Sequence, residues 1–249
     1  MTYVVIIDYF KQTLRKKKLL RSGIAMIIAI DGPAGSGKSS TARLVAARLG
    51  ITLLDTGAMY RAVTLKCLRQ GIPATDHAAL RKVLSATDIR LTGKPPDMRI
   101  FMDGEDVSGA IRSDEVTKNV SDYCAPLVVR RQMVKQQRKI AAGRSIVCEG
   151  RDIGTVVFPD AECKFFMVAS VEERARRRQK DFLEAGVDKS IPELVAEIST
   201  RDKKDSTREN SPLSKAFDAE EIDTTAMTLD EQVAYIVTKA KKLMQIEKQ

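Results

Sequence analysis

The sequence is poor in residue types on which several classes of protein depend. Its 249 residues include one histidine, His77, and no tryptophan, and aromatic residues make up only 5% of the chain. One histidine excludes a histidine-rich metal site, and His77 stands at a predicted helix start, where we interpret it as a surface or capping residue. Few aromatic rings argue against a protein that binds nucleic acid by stacking bases.

Cysteine pairs and long apolar runs are also lacking. The four cysteines, at positions 67, 124, 148 and 163, form no Cys-x-x-Cys pair, and two of them lie in apolar, strand-like runs. We therefore expect reduced, mostly buried thiols in a cytoplasmic protein rather than a disulfide framework. No apolar run approaches the roughly 18 residues that a transmembrane helix needs, so we predict no membrane partner.

Positive charge is concentrated at the amino terminus. Residues 1–25 contain six basic side chains and one acidic one, which accounts for +5 of the net charge of +9. The remainder is mildly basic, which suits a protein that binds small polyanions and predicts no nucleic-acid partner. We interpret residues 1–25 as a dispensable basic extension; a helix that lies on a membrane surface is the alternative.

Strand and helix patterns alternate along the rest of the chain. Short apolar runs are typical of parallel strands that are buried on both faces, and helical patterns separate them. The predicted strands are Ile27–Ile30, Ile51–Leu54, Ser145–Cys148, Lys164–Val168 and Glu221–Asp223. This order predicts a three-layer α/β fold with a five-stranded, mostly parallel sheet. An amphipathic helix that starts with a Thr228–Glu231 capping box closes the chain.

Residues 76–122 interrupt this alternation. Asp88–Leu91 and Arg99–Met102 have the pattern of short strands, and the turn between them contains Pro95 and Pro96. We predict a small insertion that carries its own hairpin.

A glycine-rich motif follows the first predicted strand. Gly32, Pro33, Ala34, Gly35, Ser36, Gly37, Lys38 and Ser39 match G-x-x-x-x-G-K-[ST], and Ser40 continues the helix that follows. The glycines let successive backbone N–H groups face phosphate oxygens, Lys38 can reach the β and γ phosphates, and Ser39 can bind Mg²⁺. The motif predicts an ATP-binding phosphate loop. Neither the Asn-Lys-x-Asp element of GTPases nor the Leu-Ser-Gly-Gly-Gln segment of transport ATPases is present, which favours phosphoryl transfer to a small molecule.

Arginines occur where such a kinase would bind its acceptor. Arg61 follows the second strand one turn into a helix, and Arg151, with Glu149 and Asp152, follows the strand Ser145–Cys148. Carboxyl ends of parallel strands line the crevice of an open α/β sheet. Arginine binds phosphate through two parallel hydrogen bonds, and Glu149 can orient Mg²⁺ through water.

A third group of arginines lies on a helix after Lys164–Val168. Arg174, Arg177 and Arg178 share a face at i, i+3, i+4 spacing. A solvated, salt-bridged helix is the ordinary interpretation. In a kinase the same pattern is typical of a mobile lid that carries cations over the triphosphate and excludes water.

Together these residues resemble the bacterial cytidylate kinase family across about residues 26–245. The resemblance rests on Ile30–Ser39, on Leu54–Arg61, on Gly104–Arg112, on the Glu149–Ala161 stretch and on the Glu-Glu-Arg-Ala-x-Arg-Arg element of the arginine helix. It implies the P-loop nucleoside monophosphate kinase fold, with core segments 26–75, 123–171 and 188–249, an acceptor-binding insertion at 76–122 and a short lid at 172–187.

The resemblance also implies roles for individual residues. Arg61 and Arg151 would hold the acceptor phosphate, beside Thr56, Gly57 and Tyr60, and Arg174, Arg177 and Arg178 would be lid cations. Ser121, Arg130 and Asp152 would contact cytosine, with Arg208 beside them, while Arg201 and Asp205 would face the sugar. The catalytic set is then Lys38, Arg151 and the three lid arginines.

The expected reaction is Mg²⁺-dependent transfer of the γ-phosphoryl group from ATP to CMP or dCMP by a monomeric enzyme. Two alternatives stay open at this point. One is a kinase for UMP or another small molecule, and the other is a regulatory P-loop protein that binds nucleotide without turnover or is recruited to nucleic acid by its basic terminus.

Overall fold

A computed structural model describes residues 25–184 and 186–245, and five parallel strands form its central sheet. The strands are β1 (Ile27–Asp31), β2 (Thr52–Asp55), β6 (Ile146–Gly150), β7 (Cys163–Val168) and β8 (Glu220–Asp223). Their order across the sheet is β2-β6-β1-β7-β8. All five strands predicted from the sequence are confirmed, with ends shifted by one or two residues. The α/β class with a five-stranded parallel sheet is therefore correct.

The part of the chain that the structure describes contains eight α-helices. They are α1 (Lys38–Leu49), α2 (Thr56–Arg69), α3 (His77–Ser85), α4 (Asp114–Cys124), α5 (Leu127–Ala141), α6 (Val171–Glu184), α7 (Ile191–Thr207) and α8 (Leu229–Gln245). Local sequence fixes several ends. The Asp55 carboxylate accepts a hydrogen bond from the Ala58 N–H to cap α2, and the predicted Thr228–Glu231 capping box opens α8.

Two apolar clusters pack on opposite faces of the sheet. Ala29 belongs to the cluster that contains α2, α4 and α5, whereas Ile28 and Ile30 belong to the cluster that contains α1 and α8. This alternation follows from the two-residue period of a strand. It explains why the sequence of β1 is apolar at almost every position.

The hairpin that the sequence predicts within residues 76–122 is present, with one additional strand. β3 (Ile89–Lys94) and β4 (Asp97–Met102) form the predicted hairpin, and the short β5 (Glu105–Asp106) adds a third antiparallel strand. A 3₁₀ turn, Ala110–Arg112, leads into α4, which packs on α2. The insertion thus lies against the helix that begins at the carboxyl end of β2.

The side chains of the four cysteines are all buried, as the sequence predicts. Within residues 25–184 and 186–245, no helix combines the length and the apolar character that a bilayer crossing requires. The predicted basic extension, apart from Ala25, lies outside the described residues.

Candidate active site

The phosphate loop joins β1 to α1 in a conformation that only its glycines permit. Gly32 has a φ of 151°, and a Cβ atom there would lie 2.2 Å from the carbonyl oxygen of Met167 on β7. Gly35 and Gly37 have φ values of 77° and 89°, in the left-handed region that disfavours other residues. The loop is therefore held against β7, with the amino terminus of α1 directed at the space above it.

Lys38, the first residue of α1, is buried beneath this loop. Its Nζ donates a hydrogen bond to the carbonyl oxygen of Pro33 at 2.8 Å. Burial, followed by repulsion from the Arg151 guanidinium, lowers the pKa of Lys38. A bound polyphosphate would place negative charge beside the Lys38 ammonium and so favour its charged form.

Three oxygen-bearing side chains come together near Lys38: Glu149 near the end of β6, Asp55 at the end of β2 and Ser39 on α1. Asp55 and Glu149 face each other across the parallel pair, and Ser39 hydrogen-bonds to Glu149. Burial raises the pKa of Glu149, and the Asp55 carboxylate raises it further, whereas Lys38 acts in the opposite direction. No group of three or more histidine, cysteine or acidic side chains suited to a metal occurs in the described residues. Ser39, Asp55 and Glu149 therefore fit a cation that keeps several of its water ligands, as Mg²⁺ does, rather than a metal held entirely by protein ligands.

Asp205 on α7 is the centre of one buried cluster. Its carboxylate accepts a hydrogen bond from Arg151 Nε at 2.9 Å and another from the Ser121 hydroxyl at 3.3 Å, and Arg201 Nε lies 4.0 Å away. Burial opposes the ionised form, but Arg151 and Arg201 together hold the pKa of Asp205 below its usual value. Side chains that are far apart in the sequence thus meet here, as the predicted acceptor site requires.

Asp152 is the centre of a second buried cluster. It forms an ion pair with Arg130 of α5, and Arg208 lies 3.9 Å from its other oxygen. The Arg130 guanidinium lies over the ring of Tyr60, 5.2 Å from the centroid, and the Tyr60 hydroxyl is buried without a hydrogen-bond partner. Carboxylate, guanidinium and phenol groups together suit a polar heterocycle with both donors and acceptors.

Arg61 faces the two clusters from α2. Its guanidinium donates to the Thr117 hydroxyl at 2.7 Å and to the Ile111 carbonyl oxygen at 3.3 Å. Burial lowers its pKa, and Arg178, Arg112 and Arg151 lower it further. Beside it, the Thr56 hydroxyl donates to the Glu149 carbonyl oxygen at 2.7 Å, and Gly57 leaves room for the Asp55 carboxylate. The structure therefore brings together the predicted phosphate-binding residues.

The cleft above these clusters is open between α4 and α7. It has a volume of about 370 Å³, and Ser121, Arg178 and Arg201 are among its lining residues. At its two ends Lys189 lies 3.6 Å from Asp114, and Lys204 lies 2.7 Å from Asp122. These ion pairs join the insertion to α7 and to the segment before it.

The three arginines of α6 differ in their contacts. Arg174 is buried and donates to the Ala34 carbonyl oxygen of the phosphate loop at 3.1 Å, while pairing with Asp202 at 2.6 Å. Arg177 donates to the backbone and hydroxyl oxygens of Thr224, and Arg178 lies over the ring of Phe182. All three lie near the predicted nucleotide sites, and their role as lid cations stays a prediction.

One residue of this region received no role from the sequence. Asp31, at the end of β1, accepts hydrogen bonds from the N–H groups of Ile153 and Gly154 at 2.8 and 2.7 Å. Burial raises its pKa to about 6, although the two backbone hydrogen bonds act in the opposite direction. The signal that could have indicated a role for Asp31 is its position as the one acidic residue at the end of an otherwise apolar strand.

A P-loop at the carboxyl edge of a parallel sheet, beside a cleft lined by the half-buried Arg178 and Arg201, is the arrangement of a P-loop phosphotransferase. Residues 28–242 match the model of the cytidylate kinase family, and the chain belongs to that family. The cytidylate kinase of Lysinibacillus sphaericus is 50% identical over 217 residues, which cover 87% of this chain and 97% of the relative. That of Lactiplantibacillus plantarum is 48% identical over 212 residues, covering 85% and 93%.

Proposed function

We propose that the protein transfers the γ-phosphoryl group of ATP to CMP and dCMP, forming ADP and CDP or dCDP. It is a nucleoside monophosphate kinase, in agreement with its family. The supporting observation is the group of buried and half-buried cations beside the phosphate loop, namely Lys38, Arg61, Arg151 and Arg201. Burial lowers the pKa of Lys38, Arg61 and Arg201, and neighbouring guanidinium groups lower each of them further. Such a cluster is stabilised by bound polyanions, and two phosphorylated substrates would provide them.

The donor would occupy the phosphate loop, Gly32 to Ser39 with Ser40. Backbone N–H groups of the loop and the Lys38 ammonium would hold its β and γ phosphates. Lys38 lies close to Glu149 and to Arg151, and Arg151 would hold the acceptor phosphate. The γ-phosphoryl group would therefore pass Lys38 as it moves from the donor to the acceptor. Phosphoryl transfer asks the protein mainly for positioning and for neutralisation of charge, so no covalent enzyme intermediate is required.

The acceptor phosphate would bind Arg61 and Arg151, which approach from different strand ends. Arg151 is already oriented by Asp205 and Arg61 by Thr117. Arginines that are held in advance lose less side-chain entropy when they bind phosphate.

The nucleoside would occupy the space between the Asp152 and Asp205 clusters. Asp152 and Arg130, with Ser121, would contact the cytosine edge, and Arg208 would lie beside them. Arg201 and Asp205 would face the sugar. Tolerance of dCMP follows if Asp205 does not depend on a contact with the 2′-hydroxyl group.

Magnesium would bind beside Ser39 and, through water, Glu149, with Asp55 as the neighbouring carboxylate. Its chemistry is neutralisation of charge on the phosphates. We expect no phosphoryl transfer after removal of divalent cations with EDTA and recovery when Mg²⁺ is added back. Full activity in excess EDTA, measured as ADP formation, would contradict this part of the proposal.

A panel of acceptors tests the substrate assignment. We expect CMP and dCMP to be phosphorylated with a kcat/KM at least about 100-fold above AMP and GMP, because a site built from buried hydrogen-bonding groups rejects a base that leaves them unpaired. Formation of ADP with each monophosphate measures this. Comparable rates with AMP or GMP, and none with CMP, would overturn the assignment, whereas UMP as the better acceptor would favour the uridylate alternative.

We further propose a monomeric, cytoplasmic enzyme in which α6 acts as the lid. Arg174, Arg177 and Arg178 all lie on this helix, and Arg174 already contacts the phosphate loop.

A further inference from the structure

We propose that Asp31 is a positioning residue for the acceptor base: it caps the turn that follows Asp152 and so leaves the Asp152 carboxylate free to bind Arg130 and the acceptor. This inference rests on the proposed function, because it assigns to Asp152 a contact with the acceptor base.

The turn in question is Ile153–Val157, a single π-helical turn that follows β6. Like any helical segment, it begins with N–H groups that have no partner inside the turn. Asp31 supplies both oxygens of its carboxylate to the first two of them, those of Ile153 and Gly154. Because Asp31 is only 4% exposed, water cannot replace these bonds if the carboxylate is removed.

Asp152 occupies the N-cap position of this turn but does not cap it. An aspartate at that position ordinarily accepts hydrogen bonds from N–H groups of its own helix. Here the Asp152 side chain makes no such bond and instead pairs with Arg130. Asp31, which lies 121 positions earlier in the chain, caps the turn instead. The Asp152 carboxylate is therefore available to the binding site.

Close packing holds Asp31 and the turn in place. The next residue, Gly32, lies against the Met167 carbonyl oxygen, so the end of β1 cannot shift toward β7. A Cβ atom at Gly150 would lie 2.8 Å from the Thr56 hydroxyl oxygen and 2.7 Å from the Ile153 side chain. The turn therefore has little freedom to find another partner for its N–H groups.

Asp31 also connects the phosphate loop with the segment that contributes Arg151 and Asp152 to the proposed acceptor site. It immediately precedes the phosphate loop, while Arg151 and Asp152 immediately precede the turn that it caps. Removal of its carboxylate would leave two buried N–H groups without acceptors, and Asp152 is the acceptor already at the N-cap position. Capping by Asp152 would then compete with its pairing to Arg130.

The test is a double-mutant cycle between Asp31→Ala and Asp152→Ala. We expect Asp31→Ala to raise the KM for CMP by about tenfold or more, while the KM for ATP changes less than about twofold. In the Asp152→Ala background, Asp31→Ala should cause little further loss of kcat/KM for CMP, because the carboxylate through which it acts is gone. Losses that simply multiply, or an equal rise in both KM values, would overturn the proposal.

Glu162→Gln is the matched control. Glu162 accepts the Ile27 N–H at 2.7 Å and thus binds the backbone at the opposite end of β1. We expect it to change thermal stability without changing the KM for CMP. If Asp31→Ala does not fold, Asp31→Asn replaces it, since an amide oxygen can accept one of the two bonds; an unchanged KM for CMP in that folded variant would overturn the proposal. A wild-type enzyme that does not use CMP would instead overturn the proposed function.

Discussion

Replacement of Lys38 by alanine is expected to lower kcat by about 10²–10⁴-fold, which corresponds to about 3–5 kcal/mol of transition-state stabilisation. The reason is electrostatic. Negative charge on the bridging and γ-phosphoryl oxygens changes during transfer, and Lys38 is the buried cation at the floor of the phosphate loop. Steady-state kinetics with saturating ATP and CMP measure the loss.

This loss should not come from unfolding. Burial and Arg151 oppose the charged form of Lys38, so removal of the ammonium is expected to leave the free energy of unfolding unchanged or to raise it. Lys66→Ala is the control, because Lys66 is a largely buried lysine that pairs with Asp103 of the insertion at 2.6 Å instead of contacting the loop. Near-normal turnover of the Lys38 variant would mean that this loop is not the catalytic phosphate site.

Replacement of Arg61 by methionine is expected to lower kcat/KM for CMP by about 10²–10⁴-fold and to leave the KM for ATP almost unchanged. The substitution removes a guanidinium that would make two charge-assisted hydrogen bonds to the acceptor phosphate, each of about 1.5–3 kcal/mol. Methionine retains most of the apolar stem, so packing against the insertion is largely kept.

Arg69→Met provides a closely matched comparison. Arg69 lies two turns further along α2, and like Arg61 it contacts the insertion, through Glu105 at 2.7 Å. Its side chain is 43% exposed, and such surface pairs contribute little to stability. If both variants lost acceptor activity to the same extent, the effect would come from a displaced insertion and not from phosphate binding.

The sheet and the phosphate loop could be predicted because their signals are local. Ile27–Asp31 is apolar at every position but the last, as a strand buried on both faces must be, and each glycine of the loop occupies a conformation that other residues resist. Arg61 and Arg151 could be placed near each other because each follows a strand end at the same edge of a parallel sheet.

Contacts between distant segments could not be predicted from these patterns. Asp205 meets Arg151 across 54 positions, and Asp31 meets Gly154 across 123. The α6 arginines share a face by spacing, yet Arg174 and Arg177 donate to Ala34 and Thr224, partners on different loops. The direction of a long guanidinium side chain is set by the acceptors that the tertiary fold brings near it, and helical spacing carries no information about those acceptors.

The Lys204–Asp122 ion pair at one end of the cleft between α4 and α7 is far more exposed than the Arg130–Asp152 pair. Lys204 and Asp122 are 47% and 50% exposed, whereas Arg130 and Asp152 are 3% and 5% exposed. Dissolved salt screens exposed charges far more than buried ones. Higher ionic strength is therefore expected to weaken the Lys204–Asp122 contact between the insertion and α7 while leaving the buried Arg130–Asp152 pair almost unchanged.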